Sequence, residues 1–263
     1  MTSGNDFGAH SVFGAHEETD PVRRAQTMMR PELPKRFYDR AEASTADAGF
    51  SITLDGRPVR TPGGKLLTVA DSRIAAAVAG EWDAQEDRID PDRMPLTRLL
   101  NSALDGVDPA REAVADDIAG YAETDLLCYR ASGPDGLVER QKEIWDPILG
   151  WAERELGARF ILAEGVMPVA QAPEAIGAVK ALLPRDEALP LTALHSMTTL
   201  TGSVLIALAV YRDRLSVDDA WTAAHVDEDW NIQLWGADAE AMRRRERRER
   251  EMRAAAFVAT TRR

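Results

Sequence analysis

Two hydrophobic periods divide the chain. Residues 36–42 alternate loosely between apolar and polar positions, and residues 50–54 form a short apolar run. Shorter runs follow at 59–60 and 66–69. Asp55-Gly56 and Pro62-Gly63-Gly64 separate them, and such residues accept the positive φ of tight hairpin turns. The pattern predicts a small antiparallel sheet that could be rolled up. Such a sheet is stable only if its apolar face is covered.

From Asp71 the period becomes helical. Asp71 is placed to cap a helix over 72–86, with Ile74, Val78 and Trp82 on one face. Pro91 and Pro95 punctuate the chain, and Met94, Leu96, Leu99, Leu100 and Leu104 build the next stripe. Asp108-Pro109 opens a helix through Val114, Ile118 and Tyr121. Residues 126–129 fit strand or helix, and 133–136 is a loop. An amphipathic stretch over 137–156 contains Pro147, which is expected to kink or split it. Residues 160–162 read as an isolated strand, 173–183 as a helix and 191–211 as one buried helix. Ser216 and Asp219 form a capping box. Trp221, His225, Glu228, Ile232 and Trp235 are spaced to share one helix face, and Gly236 ends it. Residues 237–257 continue as a charged helix. The fold class expected is α+β: a tail at 1–32, a β domain with its first helix at 33–90, and an all-helical domain at 91–263.

No Asp, Glu, Lys or Arg occurs between Ala188 and Tyr211, a length that would span a bilayer. Pro190, His195, Gly202 and several Ser and Thr residues crowd its first two-thirds. It therefore reads as a core helix, and no membrane insertion is expected. The N-terminus has no apolar signal-peptide segment. Asp6, Glu17, Glu18 and Asp20 precede its first basic residue, Arg23, unlike a mitochondrial transit peptide. The tetrapeptide FGAH occurs at 7–10 and again at 13–16, within a stretch that reads as a flexible tail; the alternative is that Phe7 and Phe13 dock on a partner or on the protein's own body.

Composition adds limits. Apolar residues make up 44%, enough for a substantial core. The net charge of −12 repels phosphate backbones, so no nucleic acid is expected as a partner. One cysteine, Cys128, excludes an internal disulfide and matches a reducing compartment. Set among Leu126, Leu127 and Tyr129, it reads as a buried, inert thiol.

Catalytic patterns are missing from the sequence. Residues 62–65 lack the first Gly and the final Ser or Thr of a phosphate loop. No G-x-G-x-x-G, G-x-S-x-G or H-E-x-x-H occurs. His195 and His225 stand alone and read as satisfied structural histidines. No metal or other cofactor is expected. Residues 243–253 are arginine-rich, but interleaved glutamates make four i,i+4 pairs possible: Arg245–Glu249, Glu246–Arg250, Arg247–Glu251 and Glu249–Arg253. That is the pattern of a solvated helix. Just before it, Asp238 and Glu240 fit two roles equally: complementing a helix N-terminus, or meeting a partner's Arg or Lys.

Several phrases occur together in order: Lys35-Arg36-Phe37-Tyr38, the run from Leu54 to Pro62, Glu81-Trp82-Asp83-Ala84-Gln85, Met94-Pro95-Leu96-Thr97-Arg98-Leu99, Glu123 to Arg130, Trp145-Asp146-Pro147, Trp235-Gly236 and Asp238-Ala239-Glu240. Over about 33–257 the chain resembles the assembly-chaperone family for the α-subunit of F-type ATP synthase. The resemblance implies a β-barrel-like N-terminal domain and a helical C-terminal one. It also implies a non-enzymatic chaperone that binds free α-subunit and hands it to the β-subunit. Glu240 looks like the match to a family glutamate tied to activity, so Glu240, Asp238 and Trp235 are the expected client contact. Trp82, sharing a face with Ile74 and Val78, is expected to be structural. A bacterial cytoplasmic member, monomeric when free, is the corresponding expectation. The competing reading is a carboxylate-based, hydrolase-like enzyme with its site between the β and helical parts.

Overall fold

The computed structural model describes residues 33–47, 49–165 and 169–261. The tail at 1–32, with both FGAH repeats, lies outside the described residues.

Strands β1 (Ala41–Ala46) and β2 (Gly49–Leu54) pair antiparallel from Ala41 opposite Leu54 to Ala46 opposite Gly49. Asp55 (φ 48°) and Gly56 (φ 78°) turn the chain into β3 (Arg57–Pro58), the positive-φ pair that suits the twist of a two-residue hairpin. Strand β4 (Thr68–Val69) joins the same edge of β2. Among the described residues these strands form an open sheet with β2 at its centre, so the barrel expectation is corrected. Helix α1 (Ser72–Asp83) lies on β1 and β2 and makes closure unnecessary. Asp71 caps it, accepting the Arg73 N–H at 2.8 Å.

Helix α2 (Pro95–Ser102) runs into a wider π-helical turn, Ala103–Val107. Helix α3 (Arg111–Gly120) follows the Asp108-Pro109 turn. Helix α4 (Asp135–Trp151) continues through Pro147, so the expected split does not occur. The burial of Trp145, Ile148 and Trp151 on either side of that residue outweighs the one hydrogen bond that proline removes. The chain passes through a π-helical turn at Ala152–Leu156 before the left-handed Gly157 ends it. The C-terminal part is not wholly helical. Strands β5 (Tyr129–Arg130) and β6 (Ala163–Glu164) pair in parallel, and β6 begins just after the predicted 160–162 strand.

Helix α5 is Pro173–Ala181. The predicted single helix over 191–211 is two: α6 (Ala188–Thr201) and α7 (Val204–Tyr211). Gly202 adopts φ 68°, and Ser203 restarts the helix by accepting the Ile206 N–H at 3.0 Å. Every residue from Val204 to Val210 is buried, which is the expected place for a helix apolar all round. Among the described residues no helix is long and apolar enough to cross a membrane.

Ser216 caps α8 (Val217–Ala224) through the Asp219 N–H at 3.1 Å, as the capping box predicts. Helix α9 is Val226–Trp235 and α10 is Ala239–Thr260. The chain bends between α8 and α9 at His225, so Trp221 and His225 are buried while Trp235 is 84% exposed. The expectation of one shared face therefore fails. Two of the four expected pairs on α10 form, Glu249–Arg253 at 2.6 Å and Arg247–Glu251 at 3.6 Å. Arg245 turns away to Asp229 at 2.5 Å, and Glu246 and Arg250 stay exposed. Other arginines are drawn to the body: Arg247 to Asp92, Arg253 to Asp218, and Arg248 to the Leu200 carbonyl. Partners already held in place by the fold compete with the helix's own flexible pairs.

One buried core runs from Tyr38 in the sheet region to Ala259 in α10. Two polar clips join its halves. The Glu81 carboxylate, in the last turn of α1, accepts the Leu96 and Thr97 N–H groups and the Thr97 hydroxyl at 2.7–2.8 Å. It caps α2, whose own N-cap residue, Met94, supplies no side-chain bond. Asp105 accepts the Thr61 hydroxyl and the Gly63 N–H, both at 2.7 Å. A Cβ on Gly63 would lie 2.6 Å from the Asp105 carboxylate, so a larger residue there would displace that side chain and disturb the clip.

Removing the first clip tests the joint. Glu81→Ala should lower the unfolding free energy by about 2–3 kcal/mol, through lost bonds and orphaned N–H groups. Urea unfolding checks this. An unchanged midpoint and slope would mean that the cap is dispensable.

Candidate functional site

The buried carboxyls are the first candidates for chemistry. Asp125 is fully buried, and its oxygens accept the Leu127 N–H at 3.0 Å and the Leu205 N–H at 3.1 Å. Burial pushes its pKa from 3.8 up to about 6, against the opposing pull of Ser203 and the backbone donors. Burial likewise raises Glu81, against its own N–H partners. Each carboxyl is engaged in capping helical turns. A cavity of about 320 Å³ lies between the sheet side and the helices, where the hydrolase reading would place its site. Its carboxylates include Asp71, held down to about 2 by its bond to Arg73, and Asp108, lowered by Arg111. General acid catalysis needs a carboxyl held up, not down, so this cavity does not favour that reading. Among the described residues no group of His, Cys, Asp and Glu side chains is arranged to hold a metal.

The single residues behave as structural groups. Cys128 is buried, and burial beside Asp125 pushes its thiol up to about 12. His195 meets Asp117 at 2.9 Å. His225 Nδ1 lies 2.7 Å from the Trp221 carbonyl, so Nδ1 carries the proton, and burial lowers its pKa.

What faces outward is different. At the corner between α9 and α10, Leu234 is 56% and Trp235 84% exposed. Gly236, at φ 84° and ψ 170°, ends α9 and swings the chain into α10. Asp238 caps α10, accepting the Glu240 N–H at 3.2 Å. Glu240 projects from the first turn and pairs with Arg244 at 2.5 Å, both side chains well exposed. An exposed i,i+4 pair of this kind is worth about 0.3–0.5 kcal/mol, so a partner's cation can replace Arg244 at little cost. The structure thus brings Trp235, Asp238 and Glu240 to one corner. Asp238 is partly committed to its cap. Leu234 was not singled out by the sequence reading, although its place beside Trp235 before a helix-ending glycine was a usable signal.

Trp82 lies elsewhere. It is half-buried and packed on the core, its ring 5.9 Å from Tyr38, and its carbonyl accepts the Tyr38 hydroxyl at 2.7 Å. Next to it Arg36 donates to the carbonyls of Tyr38, Asp39, Asp83 and Gln85. Gln85 donates to the Glu81 carbonyl and accepts the Asp90 N–H. The phrases around 36 and 81–85 therefore join the first strand to the end of α1. Phe37, between two of these anchors, is 74% exposed, and sequence reasoning missed it as a surface group.

Comparison with known proteins agrees with this architecture. The family model described as ATP12 chaperone protein matches residues 35–153. The crystal structure of Atp12 from Paracoccus denitrificans is 38% identical, with a TM-score of 0.80, over 88% of this chain and 99% of that one. This chain belongs to the ATP12 chaperone family. The Atu1473 protein of Agrobacterium tumefaciens is 45% identical, with a TM-score of 0.84, over 94% of this chain and 93% of that one. The mitochondrial protein atp12 of Schizosaccharomyces pombe is 21% identical over 215 residues, 77% of this chain and 74% of that protein. The part matched by the ATP12 family model ends before the α9–α10 corner begins.

Asp125 gives a pH test. Its folded pKa is raised, so the folded state holds the extra proton between 3.8 and about 6, and stability falls as pH rises through that window. Relative to Asp125→Asn, which does not titrate, the wild-type protein should lose about 1 kcal/mol between pH 5.5 and pH 7. Urea unfolding at the two pH values reads the margin, and a margin that grows with pH contradicts the assignment.

Proposed function

We propose that the chain binds the unassembled α-subunit of F-type ATP synthase and hands it to the β-subunit as the catalytic head assembles. It works as a free monomer in a bacterial cytoplasm, without catalysing a reaction. Membership of a chaperone family supports this reading. The observation that carries it to particular residues is the α9–α10 corner, where Trp235 and Leu234 stand exposed beside Glu240.

The physical requirements of such a holder match that corner. A free subunit exposes apolar assembly surface that otherwise aggregates. An exposed tryptophan with a leucine beside it supplies an anchor of the type that dominates binding energy. A carboxylate in a weak, replaceable ion pair selects for a basic group on the client and speeds encounter. Release follows when the β-subunit competes for the same client surface, because exchange then needs only a difference of affinities.

Two substitutions test the assignment. Trp235→Ala should weaken α-subunit binding by about 2 kcal/mol, roughly 30-fold in Kd. Glu240→Lys should weaken it by about tenfold or more through like-charge contact. Both lie on the surface, so thermal unfolding should move little. Wild-type binding by both variants at unchanged melting would remove the corner from the client contact.

A further inference from the structure

A second outward surface lies on the sheet side. A groove of about 660 Å³ is lined by the aromatic rings of Phe37, Tyr38 and Trp82 and by Arg57 and Arg60. Phe37 stands over it, edge-on to Tyr38 at 5.4 Å and 74% exposed. Both arginines are exposed. Arg60 donates to the Gly64 carbonyl at 2.7 Å, while Arg57 has no charged partner among the described residues. Asp55 also lines the groove, but its carboxylate accepts the Asp39 and Arg40 N–H groups. The surface therefore offers aromatic walls with cations at the rim, and it fits a segment carrying phenylalanine and acids.

This chain contains such a segment. Before Arg23 it holds Asp6, Glu17, Glu18 and Asp20, no Lys or Arg, and the two FGAH repeats with Phe7 and Phe13. The described chain begins at Leu33, whose carbonyl accepts Arg88 at 2.6 Å, and residues 34–36 run along 87–89 toward the groove. Phe37 lies four positions after Leu33, a span of at most about 14 Å. Phe13 lies twenty positions before Leu33, a contour of at most about 70 Å, so the repeats are within reach of the groove. Covalent attachment makes such a contact intramolecular, which favours even a weak one.

We propose that this groove is the docking site of the chain's own N-terminal segment. A repeat phenylalanine, Phe7 or Phe13, packs against Phe37, Tyr38 and Trp82, and the segment's acids lie beside Arg57 and Arg60. Cation and quadrupole attractions at aromatic rings favour this seating. The groove is distinct from the α9–α10 corner, so the inference stands apart from the client reading.

The test uses the full chain with its six tryptophan indoles labelled with nitrogen-15 and a nitroxide attached at Ser11→Cys, between the repeats. Cys128 is buried and does not compete for the label. The expected result is selective loss of the Trp82 indole signal, with recovery when Phe7→Ala and Phe13→Ala are combined at unchanged melting. A Trp82 signal that survives the nitroxide overturns the proposal. So does a loss that persists in the double variant, since proximity then comes from the tether alone. A loss that appears when nitroxide and nitrogen-15 are on separate molecules assigns the groove to a second copy and also overturns it.

Discussion

The carboxylate of Glu81 joins the sheet side of the molecule to its helical body. It sits in the last turn of α1, where the helix dipole disfavours an anion, and reaches the first turn of α2, where the dipole favours one. Burial raises its pKa, and two backbone N–H groups and a hydroxyl oppose that rise. The open sheet has no stable life without α1 over it, and α1 is placed against the core through this bond. The Asp105 clip on the 61–63 turn adds a second point, so the sheet is held at both ends of the joint.

The same logic accounts for most phrases that mark the family. Arg36, Gln85 and Asp125 are spent on backbone groups of the fold, and the Leu127 N–H held by Asp125 would otherwise be buried unpaired. Arg130 reaches Asp146 at 2.7 Å and lies over the Trp145 ring. The most exposed of the large apolar groups among the described residues are Phe37 on the sheet side and Leu234 and Trp235 at the α9–α10 corner. A chaperone needs exposed apolar anchors without becoming aggregation-prone itself. Small separated patches on a body of net charge −12 meet that need.

Local signals were legible where a few neighbouring residues decide the conformation. The Asp55-Gly56 turn, the Asp71 cap, the Ser216 capping box and the helix stop at Gly236 depend on φ preferences and side-chain-to-backbone bonds within about one turn. The buried role of Cys128 was legible for a related reason, since nothing nearby could activate it. The candidate corner was half legible. Trp235, Asp238 and Glu240 meet at one corner, but neither their exposure nor the exposure of Leu234 and Phe37 follows from spacing.

The amino-acid sequence by itself determined the small antiparallel sheet, the order of most helices and the caps at Asp71 and Ser216, because these rest on contacts a few residues long. Only the tertiary structure decided that the sheet stays open under α1, that 191–211 breaks at Gly202, that Trp221 turns inward while Trp235 turns outward, and which acids the arginines of α10 choose. Each of those outcomes depends on groups distant along the chain but adjacent in space, such as Asp125 bonded to Leu205 and Arg98 to Glu251. A linear pattern specifies which residues want partners; packing specifies which partners are within reach.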